Sequence, residues 1–242
     1  MKKSILFLTA AALACGTSWA QGGFSTERAQ ALLTSGDASS AARYAAGWTK
    51  AEPNNDNAWA ALGTAYDVGL HRPEKAIPAF EYALAINPYS AQNYNALGEA
   101  FLAEKKCQAA ADAFERAAEM SPTKSAYWNN LAAAYTELGQ TDQALGALKK
   151  NEVIAAPHGS WIDWYNLGAA YGKLKAYQKA VSAYNRALEL NPRGATVWTS
   201  LGSAEQALGQ SESAAEHYKL AMALGDKAGA QKLTAMTAKH PS

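Results

Sequence analysis

The chain of 242 residues carries 22 Lys and Arg against 21 Asp and Glu, a formal charge of +1, and two cysteines. That balance lacks the bulk basic character of a nucleic-acid binder. Two cysteines exclude the disulfide framework of a small secreted domain, and after the leading segment no stretch offers the ~20 apolar residues that span a bilayer.

Residues 1–20 place Lys2 and Lys3 before an apolar run from Ile5 to Ala14, then Ser18-Trp19-Ala20 ahead of Gln21. This is the pattern of a secretory signal peptide cleaved between Ala20 and Gln21. Its removal takes the charge to −1 and leaves Cys107 as the one cysteine. The expected location is periplasmic or secreted. The alternative is an outer-membrane lipoprotein acylated at Cys15, because Ala12-Leu13-Ala14-Cys15 partly fits a lipobox, with Leu one place nearer the cysteine than usual. A membrane anchor is expected only in that case.

Residues 21–55 read as a degenerate first repeat. Phe24 to Ser35 suits a helix with Leu32 and Leu33 inward, Gly36 stops it, Asp37 caps the next, and Ala41 and Pro53 fall where later units carry Ala and Pro. From residue 56 a helical hairpin recurs, with Trp59, Tyr94, Trp128, Trp164 and Trp198 in one equivalent position at steps of 34 to 36 residues. Unit 56–90 reads Trp59, Leu62, Gly63, Tyr66, Ala76, Phe80, Ala83, Pro88; unit 91–124 reads Tyr94, Leu97, Gly98, Phe101, Ala110, Phe114, Ala117, Pro122. Unit 125–160 keeps Trp128, Leu131, Tyr135 and Ala144. It has Ala132, Leu148 and Asn151 where the others have Gly, an aromatic ring and a small residue, and it runs two residues long. Unit 161–194 reads Trp164, Leu167, Gly168, Tyr171, Ala180, Tyr184, Ala187, Pro192. Unit 195–225 keeps Trp198, Leu201, Gly202, Ala214, Tyr218 and Ala221 but has Glu205 at the Tyr position and no closing Pro. Residues 226–242, with Ala230, Leu233 and Thr237 on one face, read as a C-terminal capping helix and tail. Small residues let paired helices approach, and the bulky ones fill the space between hairpins. Pro closes each unit, and polar residues behind it, Asn54 and Asn55 or Ser90, suit the next N-cap.

This pattern of aromatic, Leu-Gly, Tyr, Ala, aromatic, Ala and Pro resembles the tetratricopeptide repeat (TPR), here in an exported bacterial chain. The resemblance implies an all-α fold, a right-handed α-α superhelix of about five clear hairpins with a degenerate first unit and a C-terminal capping helix, read as one elongated domain. In the family the first helices of successive hairpins line a concave groove. The matching positions here are Asn95, Glu99, Asn129, Asn130, Ala133, Tyr165, Asn166, Ala169, Thr199 and Ser203. Some members clamp a peptide carboxylate with Lys and Arg, and none of these positions is basic. Asparagine offers both a donor and an acceptor, so a row of them can pair with the main chain of an extended peptide.

Catalytic constellations are weak. Ser121-Pro122-Thr123-Lys124 fits SxxK but lacks the companion SDN and KTG motifs. His71, His158, His217 and His240 stand singly and read as surface or turn residues, and Glu99 and Glu137 as solvated charge. No cofactor or metal is implied. Trp161, out of phase with the repeat, reads as packing against the irregular turn, or as an exposed anchor. The expected function is a non-catalytic scaffold or assembly adaptor in the bacterial cell envelope, binding an extended segment of a partner protein, with no nucleic acid and no membrane span. The alternatives are a lipid-anchored outer-membrane assembly component and an accessory subunit of an envelope enzyme system.

Overall fold

A computed structural model describes residues 23–239, without the side chains of His158, Ala238 and Lys239. The cleavage site Ala20/Gln21, Cys15 and His240 lie outside the described residues. Every regular element among those residues is helical. The chain divides into two compact units, Met1–Pro88 and Tyr89–Ser242. The first holds α1 (Thr26–Thr34), α2 (Ala38–Ala51), α3 (Asp56–Thr64), which runs on into a π turn at Ala65–Gly69, and α4 (Pro73–Ile86). The second holds α5 (Ala91–Ala103), α6 (Cys107–Met120), α7 (Ser125–Glu137), α8 (Thr141–His158), α9 (Trp161–Lys173), α10 (Tyr177–Leu190), α11 (Ala195–Ala207), α12 (Ser211–Ala223) and α13 (Lys227–Lys239). Within it, α5/α6, α7/α8, α9/α10 and α11/α12 are antiparallel hairpins, and each first helix also touches the first helix of the next hairpin.

The caps follow the sequence. Asp37 Oδ1 accepts from Ser40 N at 3.0 Å, Asn55 Oδ1 from Asn57 N at 3.0 Å and Ser90 Oγ from Asn93 N at 3.2 Å, satisfying amides that a helix start leaves open. The closing prolines do more than stop a helix. Trp59, Trp128 and Trp198 each donate Nε1–H to the carbonyl of the proline six residues back, Pro53, Pro122 and Pro192, at 2.8, 2.9 and 2.9 Å. In these three hairpins the recurring tryptophan therefore ties the hairpin to the turn that precedes it.

The conserved spacing of Leu-Gly and the later aromatic is a steric fit. A Cβ built on Gly63, Gly98, Gly168 or Gly202 would lie 2.7, 2.6, 2.6 and 2.9 Å from the ring of Phe80, Phe114, Tyr184 and Tyr218 respectively. The irregular unit changes both partners together: Ala132 faces α8, where Leu148 replaces the ring, and both are buried. Its Asn151, at the small position, is fully buried and donates Nδ2–H to Asn129 Oδ1 at 2.7 Å, while its own Oδ1 has no hydrogen-bond partner among the described residues.

Two insertions are absorbed differently. The extra residue between Tyr66 and Ala76 goes into the π turn, where Leu70 N donates to Ala65 O at 3.0 Å, the usual way a helix accommodates one added residue. In the fourth hairpin two extra residues and a following turn of two residues in place of four give α8 18 residues, against 14 in α4, α6 and α10, so that Pro157 lies inside its last turn. Ser160 and Asp163 then form a capping box that starts α9. The core of the second unit is continuous from Ala110 to Ala204 and includes Phe114, Trp128, Leu148, Leu167, Tyr171 and Leu201.

Candidate functional site

The predicted groove positions lie on α5, α7, α9 and α11, and the structure gives them different states. Asn130 on α7 donates Nδ2–H to Asn95 Oδ1 at 2.9 Å and to Glu99 Oε1 at 3.1 Å on α5, while Asn95 Nδ2–H also reaches Glu99 Oε1 at 2.9 Å. These three side chains form one closed knot across two helices. Asn129 accepts from Asn151, as described above. Thr199 is buried and donates its hydroxyl to Asp226, at the entry to α13. Ser203 donates to Thr199 O at 2.8 Å and accepts from Tyr218 Oη at 3.2 Å. Asn166 is exposed and makes no hydrogen bond with the described residues, and Tyr165 rests half-buried with its ring 5.9 Å from that of Tyr184.

Of the polar positions only Asn166, on α9, is both exposed and without a hydrogen bond to the described residues. A pocket of about 270 Å³ opens at α9 and α11, walled by Ala169, Gly172, Tyr177, Ser200 and Ser203 and floored by Tyr184. Its volume suits one side chain, being below the ~300 Å³ where small-molecule sites begin. Burial pushes the Tyr184 phenol up to about 12, aided by the charge of Tyr165 and opposed by a hydrogen bond with Ser200. The floor thus stays neutral, and the pocket offers hydroxyls and small apolar walls with no fixed charge. A Cβ on Gly172 would meet only Tyr184 Oη, at 3.9 Å, so this glycine keeps the pocket open and is not required for helix contact. The pocket was not legible in the sequence, although Ala169 and Ser203 on its wall were among the expected positions.

Of the single histidines, His217 departs from expectation. It is half-buried in mid-α12, with Nδ1 2.6 Å from Oε2 of buried Glu205 and its ring stacked 5.1 Å from Trp198. Glu205, at the position where other units carry Tyr or Phe, is buried and finds its partner in this histidine. Trp161 lies at the first turn of α9, 36% exposed, beside exposed Ile162. Ser121 and Lys124 meet through a backbone bond, Lys124 N to Ser121 O at 3.0 Å, in the turn that enters α7. Among the described residues no group of three or more His, Cys, Asp or Glu could hold a metal ion, and no helix is long and apolar enough to cross a membrane.

Models of the tetratricopeptide repeat match residues 26–91, 113–146 and 163–193. The chain is 30% identical over 123 residues to the small glutamine-rich tetratricopeptide repeat-containing protein 2 of Mycosarcoma maydis, covering 51% of this chain and 34% of that one. It thus spans about a third of that relative's length. Among solved structures it is similar to Pseudomonas aeruginosa pilF, with TM-score 0.66, 17% identity and coverage of 86% of this chain and 94% of the other. It is also similar to YrrB, a TPR protein with an unusual peptide-binding site, with TM-score 0.59, 16% identity and coverage of 80% and 99%. At these identities the structural likeness is one of fold.

Proposed function

We propose that this chain, which carries tetratricopeptide repeats, is a non-catalytic scaffold of the bacterial cell envelope that holds an extended segment of a partner protein on the face of α5, α7, α9 and α11. The observation that carries the reading is the neutral pocket over Tyr184, beside the unpaired amide of Asn166. One partner side chain enters the pocket while Asn166 pairs with the partner's main chain. The Asn95, Glu99 and Asn130 knot is already satisfied and acts as a rigid wall. Peptide binding by YrrB, a protein of similar fold, is consistent with this use of the surface.

A photo-crosslinking residue at position 166 in the full chain, expressed in a bacterial host, should capture the segment and identify it. The recovered peptide should then bind with weak dependence on salt, since neutral contacts lack the long-range term that ions screen. Gly172→Leu should abolish binding while the fold melts normally. A peptide that binds Gly172→Leu as tightly as the parent sinks the proposal. The envelope placement rests on residues 1–20 and is tested by the mass of the exported chain: a start at Gln21 supports a soluble periplasmic form, and an acylated Cys15 supports the lipid-anchored one.

A further inference from the structure

A second groove lies in the α7/α8 hairpin, with residues of its own. It has a volume of about 630 Å³ and is lined by Trp128, Gly146, Lys149, Lys150, Val153 and Ile154. Positions 146, 149, 150 and 153 follow helical spacing and form one stripe along α8.

Three departures from the other repeats coincide on that stripe. In the hairpins on either side, the residues equivalent to 150 and 153 are ion pairs: Arg116 with Glu119 at 3.6 Å, and Arg186 with Glu189. Here the cation remains as Lys150, its acid is replaced by Val153, and that valine is 70% exposed. The Lys150 ammonium instead stands 4.5 Å from the centre of the Trp128 ring. Neither Lys149 nor Lys150 has an ion-pair partner among the described residues, and the neighbouring Glu152 accepts from Tyr171 Oη at 2.9 Å. The third departure is Gly146, where the equivalent residues are Asp112 and Ser182. Glycine inside a helix is unfavourable, and a Cβ here would meet nothing within 4 Å. No packing contact requires it, and its effect is to leave the groove open.

We propose that this groove docks a segment of a partner protein that presents an apolar side chain flanked by carboxylates. The apolar group sits against Trp128, Val153 and Ile154, and the carboxylates meet Lys149 and Lys150, replacing the acid that the neighbouring hairpins supply internally. The groove is open, with Val153 largely exposed, and the two lysines without ion-pair partners give it charge complementarity to an acidic peptide segment. It is independent of the pocket over Tyr184.

The test is selection of random peptides displayed on phage against the full chain, followed by titration of synthetic winners. Enrichment of sequences with an aromatic or branched apolar residue beside Asp or Glu is expected. Their affinity should fall with added salt and by about tenfold or more in Val153→Glu and in Gly146→Gln, and be unchanged in Gly172→Leu. Val153→Glu restores the pairing seen in the adjacent hairpins and Gly146→Gln removes a helical glycine, so both variants should melt at or above the parent temperature. Loss of binding therefore reports the groove and not the fold. Failure to enrich any such sequence, or equal binding by parent and both variants, overturns the proposal. Loss only in Gly172→Leu assigns the peptides to the first face, and also overturns it. Sedimentation with phosphatidylglycerol-containing vesicles that depends on Val153, in place of peptide binding, makes the surface a lipid contact and overturns it as well.

Discussion

Gly98 and Phe114 give the most direct test of how the hairpins are held. In Gly98→Ala the new Cβ would sit 2.6 Å from Phe114 Cε1 and 2.7 Å from Cδ1. The ring is fully buried in the continuous core of the second unit. Overpacking of this kind costs about 1 to 3 kcal/mol. Replacing a helical glycine with alanine returns about 0.5 to 1 kcal/mol, so the net loss should be roughly 0 to 2.5 kcal/mol, centred near 1. The fourth hairpin shows the compensated solution, Ala132 with Leu148. Gly98→Ala in a Phe114→Leu background should therefore cost nothing or stabilise, and a double-mutant cycle in urea should give a coupling of about 1 kcal/mol or more. If Gly98→Ala stabilises the parent as an open helix site would, or the two changes add without coupling, the ring does not dictate the glycine and the argument fails.

Asn151→Ala restores the small residue found at Ala117 and Ala187; it gives up one hydrogen bond of about 1 kcal/mol but removes a buried acceptor whose cost is about 1 to 3 kcal/mol, so the denaturation midpoint should rise. Lys105 and Lys175 have left-handed backbones, φ 58° and 57°, in turns where the equivalent Gly139 and Gly209 have 73° and 80°. Lys105→Gly and Lys175→Gly should each stabilise by about 0.5 to 1 kcal/mol, the relief of left-handed strain less the entropy of glycine, as read from thermal melts. For Tyr184, an ordinary phenol in the unfolded chain ionises near ~10, below the value near 12 held by burial. Its contribution is thus fully present below pH ~10 and is lost between pH ~10 and ~12, at up to about 1.4 kcal/mol per unit. Tyr184→Phe should flatten that part of the alkaline denaturation profile, leaving the slope from Tyr171, which burial and its bond to Glu152 also push upward.

The sequence by itself determined the helical hairpin, its period and its caps, because small, bulky and helix-stopping residues recur at fixed separations and those separations are local. It also marked the fourth hairpin as irregular through Ala132, Leu148 and Asn151. What it left open needed two helices in place at once. That Ala132 and Leu148 change together is explained by the close fit of glycine and ring in the other hairpins, where a Cβ would meet the ring of the facing helix. Added residues become a π turn at Ala65–Gly69 and part of a longer helix in α8, and the count of residues between signature positions does not tell the two apart. The asparagines of the expected groove looked alike along the chain. Tertiary structure separated them, closing Asn95 and Asn130 on Glu99, giving Asn129 to Asn151 and leaving Asn166 open. Glu205 and His217, 12 positions apart, carry no motif, and only the packing of α12 on α11 makes them a pair. Hydrogen bonding and exposure are properties of side chains brought together across helices, and periodicity along one strand of sequence does not contain them.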